Sequence, residues 1–213
     1  MKVILFGAPG SGKGTQAVML SDFLRVKRIS LGDIFREEVK KGSDLGIQVK
    51  SFMDKGELVP DELVHRVIAQ CLNDENFILD GYPRNLSQAQ ELDVILGKKG
   101  KAIDLCIYLD IDGQIIIDRL SKRRVCKKCG ANYHLENMIP KEDNVCDVCQ
   151  GELFQRDDDK IDVIKKRWEV FISRSQELLA FYEQKGNLLK VDGSGNKDNV
   201  FARIKSNLSC SKH

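Results

Sequence analysis

The chain has 213 residues, a length that allows one large domain or a core that carries inserted modules. Hydrophobic residues make up 42% and charged residues 31% of the sequence, which excludes the disordered, collagen-like and coiled-coil classes. The net charge is only +2, so the composition as a whole requires no nucleic acid as partner, and any anion site must come from local clusters of basic residues.

The sequence contains no apolar run near the roughly 20 residues that a membrane-spanning helix needs. The first ten residues, MKVILFGAPG, carry one lysine and a short apolar run, which predicts a strand entering a turn rather than a secretion signal. We therefore expect a cytoplasmic protein with reduced thiols and no membrane contact. We also expect a monomer, since the sequence shows no repeated apolar surface stripe.

Short apolar runs predict four buried strands: Val3–Phe6, Phe77–Leu79, Ile103–Leu109 and Leu188–Val191. Longer stretches with helical spacing lie between them, at about Lys13 to Leu24, Asp61–Leu72, Gly113–Arg124 and Ile161–Glu183. Apolar strands that alternate with helices predict an α/β fold whose parallel sheet is covered on both faces.

Two stretches interrupt this alternation. Residues 30–59 are polar, are punctuated by glycines and contain no strand candidate, and residues 122–159 hold four cysteines and an acidic run. We interpret both as insertions into a core domain built from residues 1–29, 60–121 and 160–213.

The segment from Gly7 to Thr15, GAPGSGKGT, follows the first predicted strand and fits the phosphate-binding pattern G-x-x-x-x-G-K. Glycines allow the backbone N–H groups to point inward at an anion, and the N-terminus of the next helix adds positive potential. Gly14 stands where the usual pattern has Ser or Thr, and the alternative is an ordinary glycine-rich turn. The order of strand, loop, lysine and helix favours a nucleotide site formed by Gly10, Ser11, Gly12, Lys13, Gly14 and Thr15.

Asp80 ends the apolar run Phe77–Leu79, at the edge of a parallel sheet where ligands bind. A carboxylate at this place in a P-loop fold holds Mg²⁺ or its water ligands beside the phosphates. The Asp80-Gly81 pair could equally be a simple turn, but its combination with the phosphate loop favours a magnesium site.

Six arginines fall near predicted loops or helix ends that would face this site: Arg36, Arg84, Arg119, Arg123, Arg156 and Arg167. Each could be a solvated surface charge when taken singly. Together they exceed what one triphosphate needs, so they indicate two polyanions held side by side. Transfer of a phosphoryl group between two phosphates requires this arrangement.

Cys126, Cys129, Cys146 and Cys149 form two C-x₂-C pairs, a spacing that fits a closed tetrahedral zinc site with a structural role. Iron suits the same four thiolates, and four unliganded thiols are the remaining alternative. Because Lys122, Lys127 and Lys128 lie beside the cysteines, a nucleic-acid-binding zinc ribbon is a rival interpretation. The acidic run Asp157–Asp159 and the near-neutral net charge argue against it.

The sequence resembles the adenylate kinase family, in the form with a long zinc-binding lid that is common in bacteria. The resemblance covers almost the whole chain and rests on GAPGSGKGT, Ser30–Arg36, Asp80–Arg84, Gln88, Asp118–Arg119, Arg123–Arg124, Arg156–Asp158, Arg167 and Val191–Gly193. It implies a P-loop nucleoside monophosphate kinase fold, with residues 30–59 as the AMP-binding domain and residues 122–159 as the lid. The implied reaction is reversible transfer from MgATP to AMP, which gives two ADP and maintains the adenine nucleotide balance.

The resemblance also implies a role for particular residues. ATP would contact the phosphate loop together with Arg119, Arg123, Asn132 and Tyr133. AMP would contact Leu31, Arg36, Glu57, Leu58, Val59, Gly81, Arg84, Gln88, Arg156 and Arg167. The residues that act on the transferred group would be Lys13, Arg84, Arg123, Arg156 and Arg167.

Two positions depart from the family pattern. Leu31 replaces a frequent threonine near the AMP base, and leucine offers no hydrogen bond; Tyr82 replaces a frequent phenylalanine. The first change leaves a UMP/CMP kinase as the alternative acceptor class. Gln88 favours AMP, because UMP/CMP kinases tend to carry asparagine there.

Overall fold

A computed structural model describes residues 1–72 and 75–210, with side chains as far as residue 208. Within these residues the central sheet has five strands: β1 (Lys2–Gly7), β2 (Lys27–Ser30), β3 (Phe77–Asp80), β4 (Leu105–Asp110) and β8 (Leu188–Asp192). Their order is β2-β3-β1-β4-β8, and every neighbouring pair is parallel.

The helices that flank this sheet or extend from it are α1 (Lys13–Leu24), α2 (Leu31–Lys41), α3 (Asp44–Asp54), α4 (Asp61–Cys71), α5 (Leu86–Gly97), α6 (Gly113–Ser121), α7 (Ile161–Gln184) and α8 (Lys197–Cys210). The predicted α/β class with a parallel sheet is therefore confirmed. The described chain contains no helix that is both long enough and apolar enough to span a bilayer.

Burial on both faces of the sheet explains why its strands read as unbroken apolar runs. Along β1, Val3 and Leu5 pack into one hydrophobic cluster, whereas Ile4 and Phe6 pack into another. Successive side chains of a strand point to opposite faces, so both faces of β1 are covered. The phosphate loop follows this strand and is thus anchored to the most buried part of the fold.

Two local predictions were incomplete or wrong. Strand β2 was not predicted, because Ile29 is its only buried residue and the other positions are polar. The helix predicted to run to Arg124 ends at Ser121, and Arg123–Cys126 forms strand β5 instead. Strand β5 pairs with one nearby segment and with one that is more distant in sequence, and this pairing overrides the local helical pattern.

The segments that we predict as insertions have structures of their own. Helices α2 and α3 pack on each other within residues 30–59. Residues 122–159 contain a three-stranded antiparallel sheet formed by β5, β6 (Asn132–His134) and β7 (Leu153–Phe154). Lys40 Nζ donates to the Lys127 carbonyl at 3.3 Å, so the end of α2 contacts the first cysteine pair across the cleft.

Candidate nucleotide-binding site

The phosphate loop connects β1 to α1 at the carboxyl edge of the sheet. Gly10 and Gly12 have φ angles of 82° and 91°, a left-handed conformation that glycine adopts without strain. Gly12 precedes α1 and gives its first turn no side-chain cap, which leaves backbone N–H groups available to an anion. Lys13 Nζ donates to the Ala8 carbonyl at 3.1 Å and so lies folded over the loop.

Lys13 is strongly perturbed by its surroundings. The pKa of its ammonium group is lowered to about 7, chiefly by burial and also by Arg84, Arg167 and Arg123, while Asp80 opposes this shift. A buried ammonium group among guanidinium groups lacks sufficient negative charge around it. The phosphates of a nucleotide would supply that charge.

Asp80 ends β3 and is only 5% exposed. Arg28, on the unpredicted strand β2, binds the Asp80 carboxylate through Nη2 at 2.9 Å and Nε at 3.2 Å. Ser30 and Leu5 flank Asp80 in the sheet register, so strands β2 and β1 fix its position. The predicted magnesium residue therefore lies beside the phosphate loop, as a carboxylate that already has one cationic partner.

A cavity of about 640 Å³ lies beside the phosphate loop, between the core and the α2–α3 pair. Its lining includes all ten residues that the sequence predicted for AMP: Leu31, Arg36, Glu57, Leu58, Val59, Gly81, Arg84, Gln88, Arg156 and Arg167. A second cavity of about 540 Å³ is lined by Lys13 and by Gly7 of the phosphate loop. Arg84 and Arg167 line both cavities, so the two spaces meet at these side chains.

The arginines of the cleft are buried to different degrees and crowd one another. Burial lowers the pKa of Arg36 and of Arg84, and it lowers the pKa of Arg167 to about 10. Arg156 contributes to the lowered pKa of all three. The cavity therefore has a strong positive potential that favours phosphate groups.

Two carboxylates that the sequence analysis did not assign to the site hold these arginines. Asp158 pairs with Arg156 and lies 3.1 Å from Arg167 Nη1. Although burial raises the pKa of Asp158, Arg167 and Arg156 keep it well below its usual range. Asp159, whose side chain is fully buried, accepts two hydrogen bonds from Arg123 at 2.7 and 2.8 Å.

A similar arrangement holds Arg36 at the entrance to α2. Asp33 pairs with both Arg36 and Arg28. Burial raises the pKa of Asp33, but the two guanidinium groups lower it to about 2. The acidic residues next to Arg36 and Arg156 in sequence were the signal that could have revealed these partners.

Residues predicted for ATP are only partly brought together. Arg119 donates to the carbonyls of Gly193 and Gly195 at 3.2 and 3.0 Å, so it lies next to the loop after β8. Arg123 pairs with Asp159 and lies near enough to Lys13 to lower the pKa of that lysine. In contrast, Asn132 is exposed on the lid and Tyr133 is buried within it, with its hydroxyl 3.5 Å from Cys146 Sγ.

The four lid cysteines are free thiols whose sulfur atoms all lie within 4.8 Å of one another. Cys126 and Cys149 are 3.5 Å apart, and Cys129 and Cys146 are 3.6 Å apart. A tetrahedral zinc with ligands at about 2.3 Å places its sulfurs roughly 3.8 Å apart, so the observed cluster fits this ion. The backbone N–H groups of Lys128 and Cys129 donate to Cys126 Sγ at 3.4 and 3.5 Å, which stabilises a thiolate there.

The fold and the site together define a P-loop nucleotide-binding protein with a second cavity that is lined by buried arginines. The family model for adenylate kinase matches residues 5–187. The chain therefore belongs to the adenylate kinase family.

Curated relatives agree with this family over nearly their full length. The adenylate kinase of Methanosarcina mazei is 46% identical over 98% of this chain and 99% of its own. The adenylate kinase of Caldanaerobacter subterraneus is 44% identical over 98% of this chain and 96% of its own. That of Bacillus licheniformis is 45% identical over 96% of each chain. The match spans the core, the α2–α3 pair and the lid, whereas a zinc ribbon would account for the lid alone.

Proposed function

We propose that the protein transfers the terminal phosphoryl group of MgATP to AMP, reversibly, and so produces two ADP. One observation supports this most strongly: the ten residues predicted for AMP line a single cavity, which meets the cavity lined by the phosphate loop at Arg84 and Arg167. The relatives' common name, adenylate kinase, supports the same reaction.

In this proposal the donor phosphates bind the backbone N–H groups of the phosphate loop and Lys13. The acceptor phosphate binds Arg36 and Arg84 in the adjoining cavity. Arg84 and Arg167 line both spaces, so they neutralise the group in transit between donor and acceptor. Transfer then needs position and charge rather than a covalent intermediate on the protein.

Acidic partners preorganise the cations for this task. Asp159 holds the Arg123 guanidinium through two hydrogen bonds, and Asp158 holds Arg156 and Arg167. Side chains fixed in this way need little rearrangement when charge develops on the phosphoryl group. Mg²⁺, when bound with ATP, would add positive charge at the phosphates, and Asp80 would hold it, directly or through water.

The lid and the α2–α3 pair are proposed to close over both substrates and exclude water from the reacting phosphate. The contact between Lys40 and the Lys127 carbonyl supports this, because it joins the two segments across the cleft. Asn132 and Tyr133 are proposed to cover the ATP base or ribose from the lid.

We assign the cysteine cluster a structural Zn²⁺, with Fe as the alternative ion. Four protein ligands leave no open coordination position, so the metal would support the fold of the lid and take no part in transfer. The packed part of the lid is small and consists of Cys126, Tyr133, Cys146 and Leu153, which explains why a metal is needed there. A cytoplasmic location and a monomeric state remain predictions from the sequence.

A substrate panel tests the proposal. The purified protein is incubated with MgATP and, separately, AMP, CMP, UMP or GMP, and the diphosphates are separated by chromatography. Strong preference for AMP is expected. Preference for CMP or UMP would change the function to a pyrimidine monophosphate kinase with the same fold. No transfer to any acceptor, in folded protein loaded with zinc, would overturn the proposal.

A further inference from the structure

The amide side chain of Gln88 is held in one orientation. Gln88 lies in the first turn of α5, is 2% exposed and lines the cavity proposed for AMP. Its Oε1 accepts from the backbone N–H of Arg84 at 2.8 Å. Its Nε2 donates to Asp61 Oδ1 at 2.7 Å.

Asp61 makes this arrangement one-directional. An ionised carboxylate only accepts hydrogen bonds, and a backbone N–H only donates them. Rotating the Gln88 amide by 180° would place its NH₂ group against the Arg84 N–H and its oxygen against the Asp61 carboxylate. The two neighbours therefore determine which end of the amide is oxygen.

Asp61 is itself fixed in place. Asn85 Nδ2 donates to the two Asp61 oxygens at 3.2 and 3.3 Å, and the Asn85 side chain also accepts from the Gln88 N–H at 2.8 Å. Asp61 is the first residue of α4, and it is not one of the described residues that line the cavity. It therefore contacts the residue that faces the ligand without being placed to contact the ligand itself.

The locked amide has one N–H and one oxygen lone pair left for a base. Glutamine pairs with adenine by accepting from the N6 amino group and donating to an adjacent ring nitrogen. A purine with an oxo group at C6 presents an acceptor where adenine has a donor, so it pairs with the opposite amide orientation. Leu31, in the same cavity, offers no side-chain hydrogen bond, so it cannot make this distinction, whereas the Gln88 amide can.

We propose that Asp61 is a positioning residue that sets base specificity by locking the Gln88 amide in the orientation that reads a 6-amino purine and rejects a 6-oxo purine. This inference rests on the proposed binding of AMP in this cavity. Removing the lock would allow the amide to turn, although the Arg84 N–H would still oppose the turn.

The test compares AMP with IMP, which differs only in the exchange of the 6-amino group for an oxygen and the accompanying ring proton. For Asp61→Ala we expect the KM for AMP to rise by roughly tenfold, since an imperfectly held polar contact weakens binding by about this factor. We expect little change in kcat at saturating AMP or in the KM for ATP. The ratio of kcat/KM for AMP over IMP should fall about tenfold or more.

Two control variants and one replacement for the test variant complete the experiment. Asp61→Asn should keep most of the AMP preference, because its side-chain oxygen can still accept from Gln88 Nε2. Glu62→Ala removes the neighbouring exposed carboxylate of α4 and should leave the ratio unchanged. Asp61→Leu keeps bulk at the site, cannot accept a hydrogen bond, and replaces the alanine variant if that variant does not fold.

Activity measurements, together with calorimetric titration with AMP and IMP, distinguish a failure of the Asp61 role from a failure of the proposed function. Wild-type protein that phosphorylates AMP, together with folded Asp61→Ala and Asp61→Leu variants that keep the wild-type AMP to IMP ratio, would overturn the role of Asp61 alone. Wild-type protein that neither binds nor phosphorylates AMP would overturn the proposed function, and the inference about Asp61 with it.

Discussion

The nucleotide cleft holds several guanidinium groups close together, and the lid holds four thiols that would carry like charge as thiolates. The two regions differ in the groups that compensate this charge. In the cleft, the chain supplies acidic partners of its own: Asp158 pairs with Arg156 and Arg167, and Asp159 pairs with Arg123. In the lid, four thiols face one another within 4.8 Å. Among the described residues outside the cluster, the hydrogen-bond partners of these sulfur atoms are backbone N–H groups and the hydroxyl of Tyr133.

This difference matches the kind of ligand that each region requires. A substrate must enter and leave at each turnover, so the charges of its site must be compensated when it is empty, and internal ion pairs provide that compensation. A structural metal stays bound, so its ligands can depend on it for their negative charge. In the function proposed above, anions occupy the cleft reversibly, and a cation occupies the cysteine cluster permanently.

Substitution of Lys13 should cause the largest loss of activity. Lys13→Met keeps the length of the side chain but removes the charge at the donor phosphates, and we expect kcat to fall by about 10³-fold or more. Steady-state kinetics at saturating MgATP and AMP measures this, with Lys98→Met as an exposed control. Activity within tenfold of wild type would contradict the role of Lys13.

Substitution of Arg123 should follow, with effects on both rate and stability. Arg123→Ala removes a cation from the transfer site and leaves the buried Asp159 without its bidentate partner. We expect a loss of about 10³-fold in kcat and a loss of about 3 kcal/mol in the free energy of unfolding. Arg124→Ala, whose side chain binds only backbone carbonyls in the described chain, should change both much less. A near-normal rate in the Arg123 variant would contradict the proposed role of Arg123 in phosphoryl transfer.

Loss of one cysteine of the cluster should act on stability more than on chemistry. Cys146→Ser should abolish stoichiometric zinc and lower the Tm by on the order of 10 °C, because the lid has few packed residues without the metal. Metal analysis and calorimetry measure both, with Cys71→Ser as the control outside the cluster. Unchanged zinc content and Tm would show that the four cysteines do not form the metal site.

The smallest predicted effect is a pH dependence that comes from Lys13. Burial lowers its pKa to about 7 in the folded protein, from 10.5. Between these two values the unfolded chain binds more protons, so the free energy of unfolding of the free protein should rise with pH across this window. Below pH 7 the lysine is charged in both states, and the penalty for burying it is fully present.

The slope is at most about 1.4 kcal/mol per pH unit, and the difference between wild type and Lys13→Met isolates it from other titrating groups. Urea unfolding at pH 7 and pH 9 provides the measurement. The variant should be the more stable protein at pH 7, and its advantage should shrink at pH 9. If this difference in the free energy of unfolding did not change with pH, the pKa of Lys13 would not be lowered in the folded, ligand-free protein.

The two regions also differ in how well the sequence predicted them. The phosphate loop and the cysteine pairs are local patterns, and both fall where the sequence placed them: between β1 and α1, and in one sulfur cluster. The ten residues predicted for AMP come from five separate segments, and the family resemblance rather than any local pattern brought them together. Two of these segments follow β2 and β3, which are neighbours in the sheet.

Features that depend on long-range pairing were not predicted. Strand β2 carries Arg28 to Asp80, 52 positions away in sequence, and no local signal marks that contact. Asp159 was interpreted only as part of an acidic run, although its side chain is fully buried under Arg123. The helix predicted through Arg124 stops early, because the residues of β5 pair with residues 7 to 11 and 27 to 29 positions further along the chain.

A compound that joins two adenosines through a chain of phosphates tests the central claim most directly, namely that the two cavities form one site for two nucleotides. With five phosphates the chain can cover donor, acceptor and the group in transit together. We expect 1:1 binding far tighter than that of ATP or AMP alone, and competition with both, because one ligand then gains the interactions of two. If the compound bound no more tightly than ATP, and if AMP could still bind beside the compound, the claim of one site for two nucleotides would be contradicted.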